Sequence, residues 1–258
     1  MSHSLAAEPR NLVVEFVGLP ASGKTHLASA VQQRLATERG VETAVTMASE
    51  KRASIRLPVA GAYLLAHAIN SPARSTRLFG ELVRSRQRNL LKLSRYALYQ
   101  YYVCEEIRRA RESNELHLSD QGILQHLWRV YLTAHSMTQE DLVRAIDRFP
   151  SYVFPDLVVF VDVDHRTRMQ RGVDRGTPVE PEYFDPEHPE IQRDFEAYRA
   201  ITGAIYRIAH EPRNGLRIVH IDNTEEHLDR NVANLCTEIL RVWDGTNGST
   251  PSMDREET

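Results

Sequence analysis

A glycine-bearing octet near the start of the chain has the spacing of a phosphate-binding loop. Residues 18–25 match the pattern G-x-x-x-x-G-K-[ST] at every fixed position. Glycines let the backbone approach phosphate oxygens closely, and the amides at a helix N-terminus attract anions. In this pattern the lysine reaches the β- and γ-phosphates, and the threonine hydroxyl ligates Mg²⁺. The predicted nucleotide ligands are Gly18, Leu19, Pro20, Ala21, Ser22, Gly23, Lys24 and Thr25.

A loop of this kind must lie between a strand and a helix, and the flanking residues fit that requirement. Residues 12–17 are mostly apolar and of strand length, and residues 26–35 carry apolar side chains at helical spacing. Gly40 is placed to close this helix. The octet, called the phosphate loop below, is therefore predicted at a strand-to-helix turn.

Four more segments predict strands, at 41–47, 116–119, 157–163 and 216–221. Helical patterns separate them, and the run at 157–163 is apolar except for Asp162, as in a strand covered on both faces. The alternation predicts an α/β domain with a parallel sheet wrapped by helices. The longest helical pattern, at 78–112, predicts one long helix or two abutting ones.

Asp120 follows the short strand 116–119, at the sheet edge where ligands of α/β proteins bind. A carboxylate there can hold Mg²⁺ through water or accept a proton from a substrate hydroxyl. Asp120 or Ser119 could instead cap the helix that starts near Ile123. Both functions are compatible with one position.

Arg168, Arg171 and Arg175 follow the apolar strand at three- and four-residue spacing, which predicts one shared helix face. Three guanidinium groups on one face repel each other unless an anion lies against them, and phosphoryl oxygens fit because arginine grips them in a bidentate way. The alternative is a solvated basic surface that is neutralised by nearby carboxylates. The candidates for that role are Asp174, Glu180 and Glu182.

Residues 17–25, Ser119-Asp120-Gln121-Gly122 and the three arginines together resemble P-loop nucleoside and nucleotide kinases, thymidylate kinases in particular. The resemblance spans about residues 12–243. It implies the three-layer P-loop NTPase fold with a five-stranded parallel sheet, and a lid at about 165–190 that closes on ATP through the three arginines. It also implies that Asp120 lies near the acceptor and that Asn223, after the last strand, lies near the adenine.

The chain departs from the thymidylate-kinase pattern at two places. Residues 48–52 read Ala-Ser-Glu-Lys-Arg where those kinases carry Glu-Pro-Gly-Gly, and Asp120-Gln121 stands where they carry Asp-Arg. A different small acceptor is therefore expected.

Composition limits the other function classes. The 258 residues have a net charge of −3, which gives no reason to expect nucleic acid or an anionic membrane as a partner. Cys104 and Cys236 lie far apart on apolar helix faces and predict buried thiols rather than a disulfide or zinc site. No signal peptide or membrane span is recognisable, so a cytoplasmic protein is expected. We predict a polar extension at 1–10, one domain at 11–243 and a disordered tail at 244–258.

Three further groups of residues could each have more than one role. Five arginines at 74, 77, 84, 86 and 88 could meet an acceptor phosphate or form a solvated helix face. Four tyrosines at 96, 99, 101 and 102 could stack on a base, pack in the core or line a homodimer interface. His126 and Arg129, one helical turn apart just after Asp120, could point into the cleft.

These features together predict a kinase that uses Mg²⁺ and ATP and phosphorylates a small-molecule acceptor. Lys24, Asp120 and the three arginines are the predicted catalytic residues, with Thr25 and Asp120 on the metal. The alternatives are an NTPase that hydrolyses ATP or GTP as a switch, a nucleotide-binding module, and a kinase for a non-nucleotide acceptor such as an antibiotic.

Overall fold

A five-stranded parallel sheet forms the centre of the described part of the chain. The computed structural model describes residues 11–41, 43–46, 90–113, 115–134, 138–149, 153–176, 181–210 and 216–245, with positions 61, 80 and 83. The strands are β1 (Leu12–Val17), β2 (Thr43–Thr46), β3 (Leu116–Ser119), β4 (Leu157–Asp162) and β5 (Arg217–Asp222). Their order is β2-β3-β1-β4-β5, and every neighbouring pair is parallel.

Helices cover both faces of this sheet. The described helices are α1 (Lys24–Arg39), α2 (Leu90–Glu112), α3 (Ile123–Thr133), α4 (Gln139–Arg148), α5 (His165–Asp174), α6 (Pro189–Ala209) and α7 (Leu228–Gly245). Two 3₁₀ turns, Pro181–Phe184 and Glu225–His227, precede α6 and α7. None of these helices combines the length and the apolar character of a membrane span.

Alternate side chains of the central strands fill two cores. Phe16 and Val159 pack with α1 and α7 on one face, through residues such as Leu27 and Ile239. Phe160 and its neighbour Val158 face the other side, where they pack with α2, α3, α4 and α6. β1 and residues 157–161 of β4 are buried on both faces, which explains their largely apolar sequences. The predicted three-layer α/β fold with a five-stranded parallel sheet is confirmed.

The strand predictions differ from the structure by only a few residues. β1 and β3 have the predicted bounds, and β4 ends one residue earlier than predicted, at Asp162. β5 is shifted by one residue, and α1 already begins at Lys24. Gly40 ends α1 with a left-handed φ of 60°, the conformation that favours glycine at this position.

Several predictions lie wholly or partly outside the described residues. These are the extension 1–10, the segment 48–52, the five-arginine cluster, most of 78–89, Glu180 in the lid and residues 246–258. Helix α7 covers residues 244 and 245, the first two of the segment predicted to be disordered. Cys104 and Cys236 are both buried, and neither is part of a disulfide.

Candidate functional site

The phosphate loop leaves β1 and enters α1 where the sequence predicts it. A Cβ at Gly18 would overlap the carbonyl oxygen of Val161, so the loop can pass β4 only with glycine there. Gly23 is the N-cap of α1, with a left-handed φ of 91°. Ala21 also has a positive φ, 62°, and among the described residues it is the one non-glycine residue that does. The loop is therefore held in a conformation that costs backbone strain at Ala21.

Lys24 folds back over the phosphate loop. Its Nζ donates hydrogen bonds to the carbonyl oxygens of Gly18 and Leu19, at 2.7 and 2.9 Å. Burial lowers the pKa of Lys24 to about 7, and the Asp120 carboxylate opposes that change. Three further positive charges lower this pKa, and they come from Arg129, Arg175 and Arg168. The lysine thus lies where positive charges from α3 and α5 converge.

Asp120 meets the phosphate loop directly. The Thr25 hydroxyl donates to Asp120 Oδ2 at 2.5 Å, and Asp120 is buried. Parallel pairing of β1 with β3 brings these residues together across 95 positions of sequence, because both follow the carboxyl ends of neighbouring strands. A hydroxyl and a carboxylate oxygen are the hard ligands that Mg²⁺ takes in proteins, so the pair fits that ion.

The helix-cap alternative for Asp120 and Ser119 is wrong. The N-cap of α3 is Gly122, which makes no side-chain cap. Two amides in the first turn of α3, Leu124 N and Gln125 N, instead donate hydrogen bonds to the Glu15 carboxylate. Glu15 and Gln125 were not among the predicted site residues. The signal that could have found Glu15 is a carboxylate in a strand whose other residues are all apolar.

The three lid arginines differ in burial. Arg168 is 2% exposed, Arg171 is half-buried and Arg175 is exposed at the C-cap of α5. None of them forms an ion pair with a described carboxylate, so the alternative in which Asp174 or Glu182 neutralises them is not seen. Asp174 accepts from Gln170 instead.

Arg168 lies inside the lid. Its Nη2 contacts His165 Nδ1 at 3.1 Å, and its guanidinium lies 5.3 Å from the centre of the Phe195 ring. Burial lowers the pKa of Arg168, and the charge of Asp194 opposes this. A buried guanidinium with so little compensation is costly, and an anionic ligand would offset that cost.

Arg171 and Asn223 close over the phosphate loop. Arg171 Nη1 and Asn223 Nδ2 both donate to the carbonyl oxygen of Ser22, at 3.3 and 2.9 Å. Arg171 Nη2 also donates to the Asn223 carbonyl at 3.0 Å. Asn223, expected near the adenine, thus lies on the loop itself.

Helix α3 carries a buried histidine one turn into the helix that follows Asp120. His126 is 1% exposed, and neither ring nitrogen has a hydrogen-bond partner among the described residues. Its ring lies 5.9 Å from that of Tyr96 and 5.3 Å from that of Tyr99. Burial lowers the pKa of His126 to about 3, and the charge of Arg129 lowers it further, so the ring is neutral. The two other tyrosines of the group, Tyr101 and Tyr102, belong to the core.

Several buried polar side-chain atoms have no hydrogen-bond partner within the described part of the chain. They include Ser22 Oγ, Thr224 Oγ1 and Arg168 Nε. Such atoms are rare in folded proteins because each costs free energy. Of these three atoms, Ser22 Oγ lies on the phosphate loop itself.

No protein-family model matches this chain, and no curated protein does. Among solved structures, the chain is similar to a thymidylate kinase from Ehrlichia chaffeensis, with 18% identity and a TM-score of 0.45, over 91% of this chain and 99% of that chain. It is also similar to a deoxyadenosine kinase from M. mycoides with bound dCTP, with 13% identity and a TM-score of 0.44, over 88% and 100%. At these identities and TM-scores the likeness assigns no substrate or residue role.

Proposed function

We propose that this chain is a kinase that transfers the γ-phosphoryl group of Mg·ATP to a hydroxyl of a small-molecule acceptor. The observation that carries the proposal is the contact between Thr25 and Asp120. It joins the residue that ends the phosphate loop to a buried carboxylate on the neighbouring strand. A loop of this sequence beside such a carboxylate is the arrangement that phosphoryl transfer requires.

The phosphate loop, the metal ligands and the lid arginines have separate roles in this reaction. The loop amides and Lys24 bind the β- and γ-phosphates, while Thr25 and Asp120 hold Mg²⁺, which neutralises phosphate charge when bound. Asp120 also orients the acceptor hydroxyl. Arg168, Arg171 and Arg175 neutralise charge on the transferring group, which the lack of ion pairs to described carboxylates supports.

The reaction forms a bond from the acceptor oxygen to Pγ and breaks the bond from Pγ to the β–γ bridging oxygen. The acceptor proton passes to Asp120 or to water, and ADP leaves with the bridging electrons. This chemistry depends on positioning and electrostatics, which the loop and its surrounding charges supply.

The resemblance to nucleoside and nucleotide kinases makes those compounds the first acceptors to test. His126 and Arg129 are the proposed acceptor-side residues. Both lie on α3, the helix that follows Asp120, and the charge of Arg129 acts on Lys24. A neutral histidine offers one hydrogen-bond donor and one acceptor to such a molecule.

The test is ADP formation from Mg·ATP in the presence of individual nucleosides, nucleoside monophosphates and unrelated hydroxyl compounds. We expect one of these classes of compound to stimulate ADP formation. The phosphorylated product should be heavier than the acceptor by about 80 Da, the mass that one phosphoryl group adds to a hydroxyl. Lys24→Met and Asp120→Asn should each lower the stimulated rate by about 100-fold or more, with the circular dichroism spectrum unchanged.

Two outcomes contradict the proposal. ADP formation that no acceptor changes would favour an NTPase that hydrolyses its nucleotide. An Lys24→Met protein with near-normal stimulated turnover would remove the phosphate loop from the mechanism.

A further inference from the structure

Glu15 is a buried carboxylate in the middle of an apolar strand. It is 1% exposed, and the five other residues of β1 are apolar and also buried. An ionised carboxylate in such surroundings is costly unless hydrogen bonds or an opposite charge compensate it. Glu15 forms no ion pair with a described residue, and its partners are backbone amides.

Those amides belong to the first turn of α3. Leu124 N and Gln125 N donate to the two carboxylate oxygens, at 3.2 and 2.9 Å. A Cβ at Gly122 would collide with the Glu15 carboxylate, so the chain enters α3 in contact with β1. Burial raises the pKa of Glu15 to about 7, while the hydrogen bonds from α3 amides lower it. The positive end of α3 is therefore occupied by an internal group and is not open to a ligand anion.

Gln125 continues this contact to the phosphate loop. Its backbone amide donates to Glu15, and its side-chain Oε1 accepts from Gly18 N at 3.3 Å. On its other side, Gly18 lies against the carbonyl of Val161. The first glycine of the loop is thus held between β4 and a glutamine whose own position depends on Glu15.

We propose that Glu15 is a positioning residue of the nucleotide site. Acting through Gln125, it fixes Gly18 at the start of the phosphate loop, and by holding the start of α3 it fixes the turn that carries Asp120. This inference rests on the proposed function, because it treats the loop as a nucleotide site. In this way the Glu15 carboxylate on β1 aligns the phosphate loop with the turn that carries Asp120.

The test is a double-mutant cycle on nucleotide affinity. Glu15→Gln keeps the size of the side chain and replaces one acceptor oxygen with a donor, and Gln125→Met removes the acceptor that holds Gly18. Affinity is measured by fluorescence titration with N-methylanthraniloyl-ATP and Mg²⁺, and stability by urea unfolding of the same samples. Phe16→Leu is the matched control, because Phe16 is buried in the same strand but faces α1 and α7.

We expect each single variant to raise the dissociation constant by about fivefold and the double variant by no more than about tenfold, because both residues act on one contact. Phe16→Leu should lose stability yet keep the wild-type dissociation constant within about twofold. A purely structural role for Glu15 would lower stability in the same way without this coupling.

Three results overturn the inference while leaving the proposed function intact. In the first, Glu15→Gln behaves like Phe16→Leu. In the second, the effects of the two single variants multiply to about 25-fold in the double variant, the product expected for independent sites. In the third, Gln125→Met alone binds as wild type, which decides the matter even if Glu15→Gln does not fold. Failure of the wild type to bind the analogue, or unchanged binding by Lys24→Met, would instead overturn the proposed function and this inference with it.

Discussion

Charged side chains lie at both edges of the sheet, and the two groups differ in their surroundings. Where the strands begin, Arg111 and Asp156 form an ion pair at 2.5 Å. Asp156 also accepts from Val13 N at 2.8 Å, and Arg111 donates to the carbonyl of Phe154 at 2.7 Å. The Asp156 backbone carbonyl accepts from Arg217 N, which ties in the start of β5. The charges at this edge are compensated within the protein.

Where the strands end, the charges are not compensated in this way. The charges of Arg129, Arg168 and Arg175 act on Lys24 as like charges, and the Asp120 carboxylate opposes them. At Arg168 the opposing charge is that of Asp194. Arg168 is buried without an ion pair to a described residue, and Ala21 is held at a positive φ. The beginning of the sheet is therefore built for stability, and its end carries costs that a polyanionic ligand would relieve. Opposite responses to substitution at the two edges follow from this comparison.

The largest loss of stability is expected where the strands begin. Arg111→Met removes the cation from a partly buried pair and leaves the Asp156 carboxylate with the Val13 amide as its partner. We expect the free energy of unfolding to fall by about 2 kcal/mol, less than for a fully buried pair because both side chains keep some solvent contact. Affinity for the fluorescent ATP analogue should stay within about twofold of wild type, because the pair lies at the far edge of the sheet.

The control is Arg241→Met, which removes an exposed pair with Glu238. We expect a clearly smaller loss of stability than in Arg111→Met in the same urea titration, because water solvates both charges of the exposed pair. A comparable loss in both variants, or a parallel loss of nucleotide affinity in Arg111→Met, would contradict the division between the two edges.

Where the strands end, Lys24→Met should raise the free energy of unfolding instead of lowering it. The folded-state pKa of about 7 lies below the ordinary value of 10.5, so the unfolded chain binds more protons between pH 7 and 10.5. Wild-type stability attributable to Lys24 therefore rises with pH across that window, and the charged form is the costly one below it. Methionine has no such cost, and we expect the variant to be more stable than wild type by about 2 kcal/mol at pH 7.

The measurement is urea unfolding of both proteins at several pH values from 7 upward. The advantage of Lys24→Met should shrink with rising pH and approach zero or reverse near pH 10, because wild type keeps the two Nζ hydrogen bonds. A variant that is less stable than wild type at pH 7 would show that these bonds outweigh the cost of burying the charge.

The fold and half of the site could be predicted from sequence for local reasons. β1 and β3 are apolar runs with clear ends, and the phosphate loop is one continuous pattern with fixed glycine positions. Asp120 was predicted because it directly follows a strand, and the parallel order then brings it to Thr25. These inferences need only the neighbouring residues and the rule that parallel strands end at one edge.

The remaining parts depend on contacts that are distant in sequence. Glu15 caps a helix that begins more than 100 residues later, whereas capping is usually sought in the preceding few residues. The spacing of the lid arginines predicts a shared face, but α5 is short and its packing buries Arg168 and exposes Arg175. Periodicity gives the face of a helix and not what covers it.

The smallest effect concerns backbone strain at Ala21. A left-handed φ costs a residue with a Cβ about 1–2 kcal/mol, while glycine adds about 0.4–1 kcal/mol of unfolded-state entropy. We expect Ala21→Gly to stabilise the protein by up to about 1 kcal/mol, whereas Ala36→Gly on the exposed face of α1 should destabilise it by about the same amount. Thermal unfolding of the two variants beside wild type shows whether each substitution raises or lowers the stability. A loss of stability in Ala21→Gly equal to that in Ala36→Gly would mean that the loop stores no strain, and the costs at this edge would then be electrostatic alone.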